Sequence, residues 1–502
     1  MIFIIKFYFI YPLIAGLLLA ISLPGYYIPF AFTVGFFIWF LNIYQAKMYK
    51  HVFLNSLATG FFFSVFSYYW IINALNFYGG VNFFVSIGLL ILFSIFYSIF
   101  FFVTVGILAK IFFRRYASKG VLLVPFIWVI VEIVREYFPF SGFPWNLSGY
   151  MVSYITPFDK MAYYIGVYGL SFSVLLLSSV LFLSYVRKST LLLSAGIFFP
   201  IFIYFLLGQC RLYNKTKGKP YKVAILQGNI SEDIKQNKDF NEYMTEVYIK
   251  LFKKAAMYKP DFIIMPESAL GFLFFSESKT KEKFFSSIKD IKIPFIVGLD
   301  NIIYKDGKYY LYNSIFLFDE NHKLIDFYNK IKLVPFGEYV PFPFKMFSHL
   351  FPYLEGWDFS AGSKQKVLKY KNVKFVPLIC FEAIFPNFVA DFAEKGNVLV
   401  NTSNDAWFGK SIAPFQHFEM SRLRAVETGK YLLRATNTGI SAIVNPDGTI
   451  QKMSSLFKRE IITGTFVPVD KKTFWLKYRY IELGVLLLVF FFTFLKYELG
   501  RR

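Results

Sequence analysis

Apolar residues run almost unbroken through the first two-fifths of the chain and then give way to patterned alternation. Seven stretches (roughly 7–23, 27–45, 53–75, 82–109, 120–136, 160–186 and 190–208) are apolar enough and of the right length to cross a bilayer core, which takes about 20 residues of helix. An eighth, at 481–495, is short and spans only if flanking aromatics such as Trp475 and Tyr478 extend it. The first stretch follows Lys6 and has no convincing small-residue cleavage site, so it reads as a retained helix and not a removable signal.

From residue 221 the period changes. YKVAILQGNI, DFIIMPE, IPFIVGLDNIIY, KYYLYNSIFLFD, VKFVPLIC, VLVNTSN and EIITGTFVPVD read as strands, the fourth preceded by an Asp-Gly turn. Phe240, Tyr243, Met244, Val247, Leu251 and Ala255 recur at helical spacing, and KTKEKFFSSIKDI and PFQHFEMSRLRAVETGK are further helices. ATNTGISAIVNPDGTIQ contains a hairpin turning at Pro446-Asp447-Gly448. Alternation of strands with helices, together with hairpins, predicts a layered α/β domain with a mixed sheet. The predicted organisation is a membrane domain at 1–210, an extracytoplasmic domain at 211–475 and a closing span with a short tail at 476–502.

Charge sharpens this division. Residues 1–220 carry 15 Lys/Arg and three acids (Glu132, Glu136, Asp159), whereas 221–502 carry 39 and 29. The basic loops hold Lys47 and Lys50; Lys110, Arg114, Arg115 and Lys119; Arg187 and Lys188; and Arg501 and Arg502. All fall on one side if both termini are cytoplasmic, as positive loops prefer. The net charge of +22 is then mostly topology and contact with anionic lipid, and a nucleic-acid role is set aside. A transporter would place ionisable residues along a path through the spans; the spans hold almost none, Glu132 being the main exception.

Only two cysteines occur, Cys210 and Cys380. A lone cysteine is usually a small buried hydrophobe. Cys380, however, ends an apolar strand, precedes a helical pattern whose N-terminus would favour thiolate, and stands two residues before Glu382. A nucleophilic thiol needs a base. Of four histidines, His417 alone offers a Cys–His arrangement, from within a helix. Glu267, ending the strand DFIIMPE, is the better-placed base, although a loop-bracing role is the commoner fate of a single glutamate. Lys330, in FYNKIKLVPFGEYVP, is a candidate cation with Lys332 as its competitor; a solvated surface lysine is the ordinary alternative.

Taken together, Glu267, Lys330 and Cys380 in ICFE resemble the Glu-Lys-Cys triad of the carbon–nitrogen hydrolase (nitrilase) superfamily. SGFPWNLSGY (141–150), LVPFGEYVP (333–341), NTSNDAWFG (401–409) and RAVE (424–427), in an order of seven spans, outer domain and closing span, resemble its membrane-embedded branch, the apolipoprotein N-acyltransferase family. The resemblance implies eight spans plus a nitrilase-type αββα sandwich. It implies Glu267 as base, Cys380 as nucleophile and Lys330 as oxyanion stabiliser, aided by a backbone N–H near Phe381. It also implies supporting roles for Glu338, orienting the ammonium, and Glu382, in proton transfer or as a brace. Phe381 stands where relatives tend to carry tyrosine, so no hydroxyl is available there, and SEDIKQN follows the QGN motif where relatives carry a tryptophan.

A bare triad serves a membrane-anchored amidase as well as a lipid acyltransferase. Three apolar loops, GFLFF (271–275), the aromatic run 335–357 and AWFG (406–409), follow strand ends expected to gather at the site, and so much exposed apolar surface would hazard a soluble amidase. Substrate contacts are therefore expected from Phe336, Trp407 and Phe408, and from Pro144 and Trp145 on the outer side of the membrane domain. The implied reaction moves a fatty acyl chain from a phospholipid, through a thioester on Cys380, to the N-terminal amine of a diacylated apolipoprotein, with neither metal nor cofactor. A monomer in the bacterial inner membrane is expected.

Overall fold

The computed structural model describes residues 6–192, 194, 196, 218–231, 240–342, 344–346 and 358–499. Most of the predicted span 190–208, with Cys210, most of SEDIKQN and residues 347–357, lies outside them. The chain divides into two compact units, one of Met1–Ile72, Asn82–Leu212 and Thr473–Arg502, the other of Asn73–Val81 and Tyr213–Lys472.

The first unit is helical. Among the described residues, three helical stretches are long and apolar enough to cross a membrane: Phe83–Val134, Phe158–Arg187 and Phe474–Leu499. A fourth is added if Tyr49–Tyr68 and Ile71–Phe77, bent by 58°, form one span; Phe7–Ile21 and Ala31–Gln45 are shorter apolar helices. The 52-residue stretch is not one rod. Ala117 takes φ +50°, a conformation that ends a right-handed helix, and Thr104–Tyr116 packs on Val124–Val134 across the break. Aromatic edges build the core: Trp39 meets Phe102 at 5.4 Å and Trp128 at 5.9 Å. Its buried ionisable groups have close partners. Glu132 accepts from Trp128 Nε1 (2.9 Å) and the Ser148 N–H (2.7 Å), Glu136 accepts from the Tyr168 hydroxyl (2.7 Å), and Arg135 lies over the Tyr97 and Phe101 rings.

The second unit stacks two mixed sheets. The first holds β1 (Tyr221–Gln227), β2 (Phe262–Ile264), β3 (Phe295–Lys305), β4 (Lys308–Phe318), β5 (Leu324–Asn329) and β12 (Glu460–Phe466) in the order β12-β1-β2-β3-β4-β5. The second holds β6 (Leu368–Tyr370), β7 (Val373–Ile379), β8 (Val398–Ser403), β9 (Leu432–Thr436), β10 (Ala442–Val444) and β11 (Ile450–Met453) in the order β11-β10-β9-β8-β7-β6. β1, β2 and β3 are parallel, as are β7, β8 and β9; the remaining pairs are antiparallel.

Period-two alternation divides the side chains of the first sheet. Val223, Ile225, Ile264, Ile315 and Leu317 join Phe375, Ile379, Val400 and Leu433 in the core between the sheets. Ala224, Leu226, Val297 and Phe316 face outward onto Val247 and Phe252 of the helix Asn241–Ala256 and Phe284 of the helix Lys279–Ile288. The helices Pro386–Ala393 and Ala413–Thr428 cover the second sheet. Each such side chain fully buried contributes about 1.5–3 kcal/mol. This frame brings the carboxyl ends of β2, β5, β7 and β8 to the same functional region.

Candidate active site

Glu267 follows β2 by three residues. The chain there runs so close to β3 that a β-carbon at Gly298 would lie 2.6 Å from the Glu267 Cα, and only glycine permits that approach. Lys330 follows β5, its N–H extending the pairing to the Asn313 carbonyl (2.9 Å). Its Nζ donates to Glu338 Oε1 at 2.7 Å and stands 3.8 Å from Glu267 Oε1. Asn313 Nδ2, from β4, bridges both acids, donating to Glu267 Oε1 (2.6 Å) and Glu338 Oε1 (3.1 Å). Glu338 is held by its own loop, its Oε2 accepting from the Val334 N–H (2.7 Å). Lys330 is 1% exposed, so water scarcely screens this group.

Cys380 follows β7 with φ +47°, a left-handed conformation that costs a non-glycine residue about 1–2 kcal/mol. The expected helix start at Cys380 is instead a five-residue 3-10 turn, Cys380–Ile384, and the α-helix begins only at Pro386. Glu382 within that turn is wholly buried. Its Oε1 accepts from the Tyr328 hydroxyl (2.7 Å) and from the N–H groups of Ile331 (2.8 Å) and Lys332 (3.2 Å), while Oε2 accepts from the Ile379 N–H (2.8 Å). Four donors commit the carboxylate to joining the segment after Lys330 to the turn that carries Cys380, a brace between the sheets.

The electrostatics correct one expectation. Burial, reinforced by the Glu267 carboxylate and opposed by the Lys330 ammonium, pushes the Cys380 thiol up. No α-helix begins at Cys380 to favour the thiolate, and this environment favours the neutral thiol. Lys330 moves the other way from a simple buried lysine. Burial would lower its pKa, but Glu338, Glu267 and Cys380 more than reverse this and hold it above the ordinary lysine value. Burial also raises the Glu382 carboxyl, against the pull of its donors.

A second charged cluster stands on the other side of Cys380. Asp405 Oδ1 lies 2.9 Å from His417 Nδ1 and accepts from the Ser403 hydroxyl (2.7 Å), and Asp405 Oδ2 accepts from Arg434 Nη2 (2.9 Å). His417 Nε2 is 3.2 Å from the Cys380 carbonyl oxygen, and Arg434 Nη2 is 3.1 Å from His417 Nδ1. Arg434 also donates to Asn401 and to Ser421. Burial opposes ionisation of Asp405, but Arg434 and His417 hold its carboxyl well below the usual range; burial and Arg434 together lower the His417 pKa. Cys380, Asp405 and His417 place one donor atom each within 4.8 Å of one another, the kind of set that can hold a divalent metal. The fit is poor, because the Arg434 guanidinium already balances Asp405 from inside the cluster.

The carbon-nitrogen hydrolase family model matches residues 222–470, and that of the apolipoprotein N-acyltransferase N-terminal domain matches residues 15–180. The apolipoprotein N-acyltransferase of Geobacter metallireducens is 33% identical over 93% of this chain and 90% of its own. That of Aquifex aeolicus is 34% identical over 82% of this chain and 90% of its own. The chain belongs to the apolipoprotein N-acyltransferase family. A solved structure, Saccharomyces cerevisiae Nit3 of branch 10 of the nitrilase superfamily, aligns at 20% identity over 51% of this chain and 93% of its own, with a TM-score of 0.40.

In this family member the remaining predicted contacts are dispersed. Phe408 is buried with its ring edge-on to His417 (6.0 Å), and Trp407 beside it is half-buried. Phe336, at φ +60°, is half-buried and packs edge-on against Phe344 (5.4 Å). Phe381 is buried against Phe385 (5.0 Å). Pro144 and Trp145 belong to the helical unit, where Trp145 packs on Trp70 (4.9 Å) and stacks with Phe143. The GFLFF segment departs from expectation: Phe272 and Phe274 fill the core under the first sheet, leaving Phe275 exposed. Sequence reasoning set His417 aside and gave no role to Asp405, Arg434 or Asn313. The signal for Asp405 was the motif NTSNDAWFG itself, a polar run closing a buried strand. Also missed was Asn73, whose Nδ2 donates to the Phe408 carbonyl (3.2 Å). With the rest of Asn73–Val81 it clusters with the sheet unit.

Proposed function

We propose that this acyltransferase carries a fatty acyl chain from a membrane phospholipid to the N-terminal amine of a diacylglyceryl-cysteine lipoprotein, by way of a thioester on Cys380. The observation that carries the reading is a half-buried thiol within the fields of the Glu267 carboxylate and of a buried ammonium paired with Glu338 and Glu267.

The thiol of Cys380 attacks the ester carbonyl as Glu267 takes its proton. The tetrahedral oxyanion is met by the Lys330 ammonium and the Phe381 N–H. The C–O bond breaks, the leaving alkoxide takes the proton from Glu267, and lysophospholipid departs. In the second half, the lipoprotein amine attacks the thioester, Glu267 takes the amine proton, the C–S bond breaks, and the leaving thiolate takes that proton from Glu267 to restore the thiol. The covalent intermediate divides one hard transfer into two easier ones. Its survival until the amine arrives depends on exclusion of water, for which Phe336, Trp407 and Phe408 are the proposed apolar contacts. The proposed setting is the bacterial cytoplasmic membrane, with eight spans, both termini inside, the sheet unit on the outer face, and a monomer as the working form.

Purified protein in phospholipid vesicles, given a synthetic diacylated lipopeptide, tests the reading. Transfer of one acyl chain to the peptide amine, lost in Cys380→Ser, is the expected result. Transfer by Cys380→Ser at the parent rate, or release of free fatty acid alone, contradicts it.

A further inference from the structure

The cluster of Asp405, His417 and Arg434 is buried, charged and adjacent to Cys380, yet the chemistry above uses none of it. A carbonyl oxygen only accepts hydrogen bonds, so the contact between His417 Nε2 and the Cys380 oxygen at 3.2 Å is favourable only when Nε2 carries the proton. The Nδ1 side can meet that demand in either protonation state. It accepts from Arg434 Nη2 (3.1 Å) if bare and donates to Asp405 Oδ1 (2.9 Å) if protonated. The Nε2–H is thereby committed to the Cys380 carbonyl, and His417 is unavailable as the base for the thiol.

What that hydrogen bond holds follows from peptide geometry. The unit joining Cys380 to Phe381 is planar, with its C=O and N–H pointing in opposite directions. Pinning the carbonyl fixes the direction of the Phe381 N–H, and it also supports the left-handed backbone of Cys380 at φ +47°. We infer that His417 is a positioning residue of the oxyanion hole: it donates to the Cys380 carbonyl and so aims the Phe381 N–H at the tetrahedral oxygen. Asp405 and Arg434 hold the ring in place, and Arg434 is itself anchored on Asn401 and Ser421. This inference rests on the reaction proposed above.

Two amide variants separate the ring's two edges. In His417→Asn the amide reaches the Nδ1 position, keeping contact with Asp405 and Arg434 and losing the Cys380 carbonyl. In His417→Gln the amide nitrogen reaches the Nε2 position and restores a donor there. Two rates are measured on full-length protein in phospholipid vesicles: formation of the acyl adduct on Cys380, and alkylation of Cys380 by iodoacetamide. The second reaction forms no oxyanion and does not need the aimed N–H. The expected result is acylation slowed by about 10²-fold in His417→Asn, with half-saturation by phospholipid unchanged, alkylation within about twofold of the parent, and acylation in His417→Gln within about fivefold. The inference is overturned if His417→Asn acylates at the parent rate, if alkylation falls in step with acylation, or if Gln rescues no better than Asn. An adduct absent from the parent protein sinks the proposed reaction and this inference together; an adduct formed equally by the parent and His417→Asn sinks the inference alone.

Discussion

Cys380 stands between two buried charged clusters built from the same kinds of parts and put to different uses. On the side of the first sheet, Lys330 lies among Glu267, Glu338 and Asn313, and its charges act on the sulfur. On the side of the second sheet, Arg434, Asp405 and His417 form a set that holds the Cys380 backbone oxygen through His417, while the Asp405 carboxylate adds to the rise in the thiol pKa. An arginine cannot give up its proton under any ordinary condition and forms fixed planar contacts, which suits a lock. A lysine between two carboxylates is a compact, strongly held point charge, which suits a developing oxyanion. The difference lies in the cations: the Lys330 ammonium acts on the thiol, whereas the Arg434 guanidinium is engaged by Asp405, Asn401 and Ser421, so that under the proposed reaction burial of charge is not by itself a sign of catalysis.

The largest effects should come from the first cluster. Glu267→Gln and Lys330→Met are each expected to slow acyl transfer by about 10³-fold or more, since each removes a group acting on the reacting atoms; initial rates with lipopeptide check this. Arg434→Lys, tested in the same way, should cost far less, and an equal loss at both sites would erase the distinction.

Next comes Glu338→Gln, which leaves Lys330 with one carboxylate. A fall of about 10–10²-fold is expected. In the parent protein, carboxylates hold Lys330 above the ordinary lysine value and burial holds the Cys380 thiol above the ordinary thiol value. The sign follows: the ammonium stays charged and the thiol stays neutral through mild alkali. The acylation rate should therefore show no rising limb near the ordinary thiol pKa of about 8.5 and no fall up to about pH 10. A limb near the ordinary thiol value would mean that the sulfur titrates as if exposed.

The second cluster is probed through its packing. A β-carbon at Gly439 would lie 2.3 Å from Asp405 Oδ2, so Gly439→Ala must displace the carboxylate. A loss of about 1–3 kcal/mol in stability is expected, read as a lower thermal midpoint in detergent, with alkylation of Cys380 little changed in the folded fraction.

The smallest effect on catalysis belongs to Lys430, which sharpens the comparison from outside both clusters. It is 1% exposed and donates to the Val469 carbonyl (2.9 Å), and burial lowers its pKa to about 8, the opposite shift to that of Lys330. An unfolded lysine titrates near 10.4, so between those values the folded state binds fewer protons. This residue's contribution to stability therefore rises as pH climbs through that window and is flat below it. Lys430→Met should flatten that rise and leave acyl transfer within about twofold, measured by thermal unfolding at pH 7 and pH 10.

The residues that the sequence made legible are those that end strands. Glu267 and Cys380 follow apolar runs at once, and Lys330 stands in a short motif with Glu338 eight residues on, so one-dimensional spacing carried the information. His417 was illegible because it sits inside the helix Ala413–Thr428, all but wholly buried, where a histidine reads as core; its partners are 12, 17 and 37 residues away. The helix read after Cys380 does form, as Pro386–Ala393, but a 3-10 turn sets its N-terminus six residues beyond the cysteine, so its dipole does not act at the sulfur as expected. GFLFF looked like a substrate loop, but Phe272 and Phe274 find the outer core, since an apolar loop beside an open sheet face is drawn there first. β5, β6 and the start of β9 escaped notice. Three-residue β6 carries too little pattern, and fully buried β9 shows none of the alternation that marks a half-exposed strand. The span pattern was legible as apolarity, and the break between the stretches 82–109 and 120–136 as a basic run; the structure puts that break at Ala117–Leu123, between Thr104–Tyr116 and Val124–Val134.

The central claim is that Cys380 itself carries the acyl chain. Intact-protein mass spectrometry after incubation with a single defined phospholipid, without lipopeptide, tests it most directly. The account predicts a mass increase equal to one acyl chain, lost on treatment with hydroxylamine, absent from Cys380→Ala and discharged when lipopeptide is added. An adduct on another residue, or lipopeptide acylated by Cys380→Ala, would contradict it.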